Sequence, residues 1–372
     1  MALILPFILS GIILFLIAIF IAIYGWRKIS QLLRFRKEVI PGKTHYEFSH
    51  INDQKSEVSL QHKFDQAVIV HGTFVGDDPF HIQEYLENIF PSLRSSFSKK
   101  IKRIMRNNNE FLAKDLGNFT KMHESIIDKK LIHNGHTHSL VWSSANSHLA
   151  RVNGLVSLIR LLREKVKKKE SLFLIAHSHG GQIFALYTQV FTNFEHLEDL
   201  LKASNKLELF DELKKGLAAQ RQINMVMVTL GTPVRYKWVQ HEKIQLIHII
   251  NHRSELPYGG DLKGSLFTEY GDYVQQWAVS GSDSYIARKV EREVNQRLDL
   301  LLDIGCDLKL LQVELSKRKR IHNLGHHMLI DLNDKGVRPN FFKTIFGHGT
   351  YTKLDIFTEL LNHISFKLNQ NK

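Results

Sequence analysis

The feature that most constrains this chain is a series of short apolar runs that recur along it at intervals. They are continuous rather than alternating, as expected for parallel strands that are buried on both faces of a sheet. Helical patterns lie between them; Leu155, Leu158 and Leu162, for example, recur at helical spacing just before one of the runs. Strands that alternate with helices predict an α/β fold with a doubly wound, mostly parallel sheet. The runs are Ala67–Val70, Ser139–Trp142, Leu172–Ala176, Asn224–Leu230 and Leu246–Ile250.

Length and composition set the size of this fold. The 372 residues are enough for one large domain or two modest ones. With 43% hydrophobic and 23% charged residues, the composition is that of a globular protein and excludes wholesale disorder. We assign residues 67–372 to one α/β domain, because no linker or repeat divides the strand-like runs. Two stretches, near 80–136 and 271–319, do not fit a minimal sheet and are predicted to be helical insertions.

The N-terminus predicts a membrane anchor ahead of this domain. Residues 1–26 contain no charged side chain, and the run Leu3–Tyr24 is almost wholly Leu, Ile, Phe and Ala. A helix of about 20 apolar residues crosses the roughly 30 Å hydrocarbon core of a bilayer. Tyr24 and Trp26 stand at its end, where aromatic side chains favour the interface. A cleaved signal peptide is the alternative, but its basic start, shorter apolar stretch and small-residue cleavage site are missing.

Basic residues follow the apolar run and set its expected orientation. We assign residues 27–66 to a basic juxtamembrane segment and the start of the globular domain. This segment begins with the basic residues, whereas nothing basic precedes the apolar run except the chain amine. The positive-inside rule therefore predicts a single-pass protein whose folded domain lies on the cytoplasmic side of the membrane. The single cysteine, Cys306, agrees with a reducing compartment. The flanking bases are Arg27, Lys28, Arg34, Arg36 and Lys37.

A formal net charge of +13 raises the question of negatively charged partners. Nucleic acid is not predicted, because the short basic runs carry no helix-turn-helix, zinc-finger or RNP pattern. For a domain held at a membrane, favourable electrostatics with anionic lipid headgroups is the simpler account. A solvated surface is the plain alternative for each basic run. The sequence predicts no particular oligomeric state.

The most specific motif is a strand that runs directly into a serine with small neighbours and then into a helix. After Leu172–Ala176 the chain reads His177-Ser178-His179-Gly180-Gly181, followed by an apolar helical pattern. This is the nucleophile elbow G-x-S-x-G with Ala176 at the first glycine position. Such a turn is strained and brings the helix close to the strand, so the flanking residues must be small. We expect the Ser178 hydroxyl to project from this turn, and the two adjacent histidine side chains to point away from it.

With this motif the chain resembles the α/β-hydrolase superfamily, in particular its serine lipase and esterase branch. A strand that ends in His71-Gly72 matches the segment that forms part of the oxyanion hole in that family. The resemblance implies oxyanion donors from the backbone N–H of Thr73 or Phe74 and from the backbone N–H of His179. Further matches are Thr229-Leu230-Gly231-Thr232-Pro233, after the next strand, and Trp142–Ser147 with Arg151, before the elbow.

The serine of this family works with an acid and a histidine, in the chain order serine, acid, histidine. His348 is the predicted base, because it lies near the C-terminus on a glycine-rich loop ahead of an amphipathic helical pattern. The acid is expected after the run Leu246–Ile250. There Glu255 precedes Leu-Pro, as acids in this loop often do in family members, and Asp261 is the second candidate. Either carboxylate can fix the imidazole tautomer and stabilise its positive form.

Neither a metal site nor a cofactor site is predicted. The histidine pairs His136/His138 and His326/His327 lack accompanying Cys or acidic ligands at metal spacing. The chain also lacks a phosphate-binding glycine loop and a dinucleotide motif.

The resemblance thus implies a membrane-anchored serine hydrolase that cleaves carboxylic esters through an acyl-enzyme at Ser178. A lipid ester is the expected substrate, because the anchor would hold the site near the bilayer. An acyltransferase with the same triad is one alternative. A non-catalytic membrane-anchored module that keeps the fold is another.

Overall fold

The described part of the chain is built on one parallel β-sheet. In the computed structural model it comprises residues 45–50, 63–72, 115, 117–167, 170–252, 271–272, 274–275, 289–302, 320–332 and 347–370.

Within these ranges the sheet has seven strands in the order β1-β7-β6-β5-β4-β2-β3, and all neighbouring strands are parallel. Each of the five predicted apolar runs overlaps a strand, and the run Asn224–Leu230 coincides with one. The strands are β1 (His45–His50), β2 (Gln66–Val70), β3 (Thr137–Leu140), β4 (Ser171–His177), β5 (Asn224–Leu230), β6 (Ile244–Asn251) and β7 (His326–Asp331).

Helices of the described ranges cover both faces of the sheet. Two short 3-10 helices, Leu207–Leu209 and His348–Thr352, accompany the α-helices. The α-helices are α1 (Lys121–Leu131), α2 (His148–Lys165), α3 (Gly180–Thr192), α4 (Phe194–Ala203), α5 (Phe210–Gln220), α6 (Lys289–Leu302) and α7 (Leu354–Gln370).

Strand β4 explains why its sequence is apolar without alternation. Its residues Leu174 and Ala176 join the core cluster that α2 to α6 cover. Phe173 and Ile175 point to the opposite face and pack in the cluster that α1 and α7 cover. Both faces are therefore buried, as the continuous apolar runs predict for parallel strands. The prediction of an α/β fold with helices on both faces of the sheet is confirmed.

The first strand is absent from the sequence-based prediction. Strand β1 pairs only with β7 among the described strands and lies at the edge of the sheet. Oε1 of its Glu47 lies 3.2 Å from Nε2 of His326, and Oε2 lies 2.6 Å from Nζ of Lys367. Partial burial alone would raise the pKa of Glu47. The hydrogen bond with His326, together with the hydrogen bond and the charge of Lys367, outweighs this effect and lowers the pKa to about 2. Polar Glu47 and Ser49 flank Phe48 in this edge strand, so it has no continuous apolar run.

The order of the strands determines where a site can form. The chain passes from β2 outward to the edge strand β3 and then returns to β4, on the other side of β2. The strand order therefore reverses between β2 and β4. In open parallel sheets the crevice at the carboxyl ends of two such strands is the usual place for a ligand. Val70 and Ala176, near these two ends, are partners in the sheet register.

The prediction of a single-pass membrane protein is corrected. Of the helices that the structure describes, none is both long enough and apolar enough to cross a bilayer. The run 1–26, on which the prediction rested, lies outside the described residues, as does most of the basic segment 27–66.

The two predicted insertions contribute helices that pack on the rest of the domain. In the first stretch, α1 buries Ile127 and Leu131 against one face of the sheet. In the second stretch, α6 buries Val294 and Leu298 in the core cluster of the other face. These two helices therefore belong to the layers that cover the sheet.

Candidate active site

Ser178 lies in a tight turn between β4 and α3. Its backbone has φ 54°, a left-handed conformation that is uncommon for a residue other than glycine. The main-chain N–H of Ser178 donates to the carbonyl of Leu230 at 2.9 Å. The carbonyl of Ser178 accepts from the Thr232 hydroxyl at 2.9 Å. Strand, turn and helix follow one another as the elbow motif predicts, and contacts from the end of β5 hold the turn.

The glycine of the motif is required by close packing. A Cβ atom placed on Gly180 would lie 2.6 Å from the carbonyl oxygen of His71 and 2.9 Å from that of Val70. These are backbone atoms at the end of β2, so they cannot move aside as a flexible side chain would. Helix α3 therefore approaches β2 closely enough that only glycine fits at this position.

His348 contacts the serine hydroxyl directly. Its Nε2 lies 2.7 Å from Oγ of Ser178, and its Nδ1 lies 2.8 Å from Oδ2 of Asp272. Because an ionised carboxylate can only accept, Nδ1 carries the proton and donates to Asp272. In this tautomer the Nε2 atom accepts from the Ser178 hydroxyl. Ser178 and His348 are 3% and 5% exposed, so bulk water has little access to the pair.

Asp272 is fully buried, and its charge is stabilised locally. The backbone N–H of Gln275 donates to its Oδ1 at 2.8 Å. Burial by itself would raise the pKa of Asp272, but the positive charge of His348 and hydrogen bonds from His348 and Gln275 lower it, as does the charge of Arg320. The pKa of this carboxyl therefore lies below its ordinary value, and Asp272 remains ionised beside the imidazole.

The prediction of the acid is corrected by this contact. Asp272 occupies the place at Nδ1 of His348 that was expected for Glu255 or Asp261, and both of these residues lie outside the described ranges. The acid was sought in the loop directly after β6. Asp272 lies further along the chain but beside the end of β6, where its N–H donates to the carbonyl of Asn251 at 3.0 Å.

Two features of the sequence agree with Asp272. It lies between the serine and the histidine, in the chain order that the resemblance implies. It also follows a glycine, Gly271, which has φ 103° in the structure, a conformation that favours glycine. Neither feature separates Asp272 from the other acids that lie between residues 251 and 348.

The expected oxyanion donors are only partly described. His179 directly precedes the first residue of α3, with φ −62° and ψ −17°, so its backbone N–H belongs to the N-terminus of that helix. The positive end of the helix dipole favours negative charge near this position. Thr73 and Phe74 lie outside the described residues.

The segment His71-Gly72, which precedes Thr73, is described and lies against Ser178. A Cβ atom on Gly72 would be 2.8 Å from Cβ of Ser178. The Trp142 indole N–H donates to the carbonyl of His71 at 2.9 Å, and the Ser144 hydroxyl donates to the carbonyl of Gly72 at 3.0 Å. Side chains from the segment after β3, which also matched the family pattern, therefore hold the His71-Gly72 segment.

The two histidine pairs that resembled metal ligands have other partners. His138 contacts Oε1 of Gln66 at 3.2 Å, and His326 pairs with Glu47. Throughout the part of the chain that the structure describes, no group of three or more His, Cys, Asp or Glu residues is arranged to hold a metal ion.

Comparisons of the chain with protein-family models, with curated proteins and with solved structures give no match. The site is therefore interpreted from its own geometry.

Proposed function

We propose that this chain is a serine hydrolase that cleaves carboxylic esters through a covalent acyl-enzyme. The observation that carries the proposal is the linear array from Ser178 through His348 to Asp272, with contacts of 2.7 and 2.8 Å. A hydroxyl, an imidazole and a carboxylate in this order form the charge arrangement that activates serine in hydrolases of unrelated folds. The array also lies where the strand order reverses, at the carboxyl edge of the sheet.

In the first half of the reaction, Ser178 attacks the ester carbonyl. Nε2 of His348 removes the hydroxyl proton as the new C–O bond forms, and the carbonyl oxygen becomes an oxyanion. The backbone N–H of His179, at the N-terminus of α3, is one donor for this oxyanion. The tetrahedral intermediate then releases the alcohol, which takes the proton from His348, and the acyl group remains on Ser178.

In the second half, water replaces the alcohol. His348 removes a proton from the water as it attacks the acyl carbonyl, and then returns this proton to Oγ of Ser178. Asp272 does not change its protonation during the cycle. It holds His348 in the tautomer with a free Nε2 and stabilises the imidazolium that forms twice.

The strain at Ser178 supports a catalytic rather than a structural role for the array. A left-handed backbone at a residue other than glycine costs about 1–3 kcal/mol and persists only where the surroundings enforce it. Neutral hydrophobic side chains would fill the same volume without a buried carboxylate, whose removal from water is expensive. A module that only retains the fold has no physical need for either feature.

The proposal names a carboxylic ester without specifying a lipid. The expected preference for lipid esters depended on an anchor that would place the site at a bilayer, and that prediction has been corrected. A series of p-nitrophenyl esters with acyl chains of increasing length is therefore the appropriate substrate set.

The test is turnover of these esters by the full chain and by Ser178→Ala. The variant lacks the nucleophile, so kcat should fall by a factor on the order of 10⁶. Ser204→Ala is the matched control, because Ser204 is also buried and its hydroxyl donates only to the carbonyl of Leu201 within its own helical segment. This control should keep wild-type kcat. Turnover by Ser178→Ala at the wild-type rate, or absence of turnover by the wild type for every ester, would contradict the proposal.

A further inference from the structure

The residue before the nucleophile contacts the catalytic base twice. The His177 ring packs against the His348 ring with centroids 4.6 Å apart and an interplanar angle of 40°. Its Nε2 lies 2.9 Å from the backbone carbonyl oxygen of His348. A carbonyl oxygen can only accept, so Nε2 of His177 carries a proton and donates it. The side chain therefore points toward His348, a contact that the elbow motif does not predict.

His177 is neutral in this position. Burial, together with the nearby charge of His348, lowers the pKa of His177 to about 3. A neutral imidazole has one N–H, and it is used for the bond to the His348 carbonyl. Its other nitrogen, Nδ1, is buried and has no hydrogen-bond partner among the described residues. Neutrality avoids repulsion, because a second positive ring at this distance would oppose the imidazolium that His348 forms during catalysis.

We propose that His177 is a positioning residue that fixes His348 to the strand that carries the nucleophile. Two consecutive residues then determine the positions of both reacting groups. Ser178 supplies Oγ, and His177 holds the main chain and the ring of His348. The inference rests on the proposed hydrolase function, because positioning is defined by the attack of Ser178. It assigns to the x of the A-x-S-x-G motif a task that the motif leaves unspecified.

His348 begins the short helix His348–Thr352, which is a separate chain segment from β4. A displacement of about 1 Å between reacting groups can cost about 10²-fold in rate. A hydrogen bond to the backbone carbonyl of the base, combined with contact of the two rings, restricts both translation and tilt of the imidazole.

A second histidine makes the same kind of bond at the other end of this short helix. Nε2 of His123 lies 2.7 Å from the carbonyl oxygen of Thr352, and the backbone N–H of Thr120 donates to Nδ1 of His123 at 2.9 Å. The second bond fixes Nε2 of His123 as the protonated donor. His123 does not contact the His348 ring in the described structure, so it is a matched control for the loss of one histidine-to-carbonyl bond.

The test compares two variants of similar shape in the full chain. His177→Gln keeps an N–H donor at the end of its side chain, whereas His177→Met has none. We expect His177→Met to lower kcat by about 10²-fold with KM within threefold of wild type, because only the alignment for attack is lost. His177→Gln should retain at least tenfold more kcat than His177→Met. His123→Phe should keep kcat within threefold of wild type.

A spectroscopic readout separates positioning from loss of stability and does not depend on turnover. The Nδ1 proton of His348, shared with Asp272, gives a downfield proton resonance that is identified by its loss in His348→Asn. This resonance should shift in His177→Met and remain in place in His123→Phe. If the wild type failed to hydrolyse esters, the resonance would still test the link between His177 and His348.

Three outcomes would overturn the inference. One is equal kcat for the Gln and Met variants. Another is a loss in His123→Phe as large as in His177→Met at equal thermal stability. The third is an unchanged resonance in every His177 variant. Should His177→Met fail to fold, His177→Phe, which keeps a ring without a donor, takes its place with the same expected loss.

Discussion

At the scale of single residues, the charge of Asp272 is the part of the site that depends most on its neighbours. The side chain is fully buried, yet it remains ionised, because His348 and the backbone N–H of Gln275 donate to its two oxygens. An amide at this position would have nearly the same shape. It would present either an oxygen or an NH₂ group to Nδ1 and would no longer stabilise a positive imidazole.

Asp272→Asn should therefore lower kcat for ester hydrolysis by roughly 10⁴-fold, because the tautomer and the imidazolium of His348 lose their support. The measurement is steady-state turnover of a p-nitrophenyl ester, with thermal unfolding as a check on the fold. Glu255→Gln and Asp261→Asn are the matched controls and should remain within about threefold of wild type, because Asp272 already occupies the position at Nδ1 of His348. A crippled Glu255→Gln beside a near-normal Asp272→Asn would reverse this assignment.

The serine and the histidine could be foreseen from the sequence, whereas the acid could not. Ser178 lies within a contiguous strand–turn–helix pattern, and His348 precedes a clear amphipathic helix, so local sequence indicates both. Asp272 lies beside His348 because a backbone bond to Asn251 holds it at the end of β6, a strand from which it is remote in sequence. The sequence contains no local pattern for such a contact. The role of His177 was also missed, since which way a side chain points from a turn depends on its tertiary neighbours.

At the scale of elements, the loop after β5 determines how closely the acid and base approach the elbow. Gly231 has φ 58°, and a Cβ atom there would lie 2.5 Å from Oδ2 of Asp272 and 2.5 Å from Cε2 of Tyr351. The Tyr351 hydroxyl in turn accepts the backbone N–H of Asn251 at 2.7 Å. The end of β5 therefore packs directly on the segments that carry the acid and follow the base.

Gly231→Ala should disrupt this packing, because the new methyl group meets Asp272 in a conformation that L side chains rarely adopt. We expect a loss of kcat of about 10²-fold or more through displacement of the acid, with a lower thermal midpoint. Gly216→Ala, within α5, is the control; its Cβ would lie 3.2 Å from Cγ2 of the Ile159 side chain, and alanine favours the helix by about 1 kcal/mol. Equal activities of the two variants would show that the loop after β5 does not hold the acid.

Element prediction was accurate wherever a strand carries an apolar run. The five predicted runs correspond to β2, β4, β5 and β6 inside the sheet and to β3 at its edge, with small errors in their ends. Strand β1 was not predicted, because the polar residue Glu47 interrupts its sequence. Glu47 is accommodated in the strand by its contacts with His326 and Lys367. Those partners come from β7 and α7, which are remote in sequence.

At the scale of the whole molecule, several buried histidines are kept neutral, which links stability to pH. Burial lowers the pKa of His177 and of His322 to about 3 and that of His248 well below its ordinary value. Nε2 of His248 donates to the carbonyl of Leu324 at 3.0 Å, and Nδ1 of His322 accepts from the Trp238 indole at 3.2 Å. Protonation of His248 or His322 would place a positive charge among closely packed rings. The hydrogen bonds that the structure describes for these two histidines include no carboxylate that could balance the charge.

The sign of the pH dependence follows from these directions. The unfolded chain, with histidine pKa values near 6.5, binds protons below that pH while the folded chain does not, so stability is full above pH 6.5 and falls as the pH is lowered towards 3. At pH 5, His177 and His322 alone should lower the free energy of unfolding by about 4 kcal/mol relative to pH 8. Urea denaturation of the full chain at pH 8, 6 and 5 measures this change.

A control variant narrows the cause. His322→Gln removes one of these groups, so unfolding of the variant takes up about one proton fewer than unfolding of the wild type. Its free energy of unfolding should therefore depend less steeply on pH between 6 and 5. Denaturation midpoints that stay constant from pH 8 to 5 would contradict the account of neutral buried histidines.

The most direct test of the central claim is the identity of the residue that reacts with a fluorophosphonate probe. This probe forms a covalent bond only with a nucleophilic serine, and mass spectrometry of the digested adduct locates the bond. We predict one adduct per chain, on Ser178, which is absent from Ser178→Ala and forms much more slowly in Asp272→Asn. An adduct on another serine, or undiminished labelling of Ser178→Ala, would contradict the claim that Ser178, His348 and Asp272 form a catalytic triad.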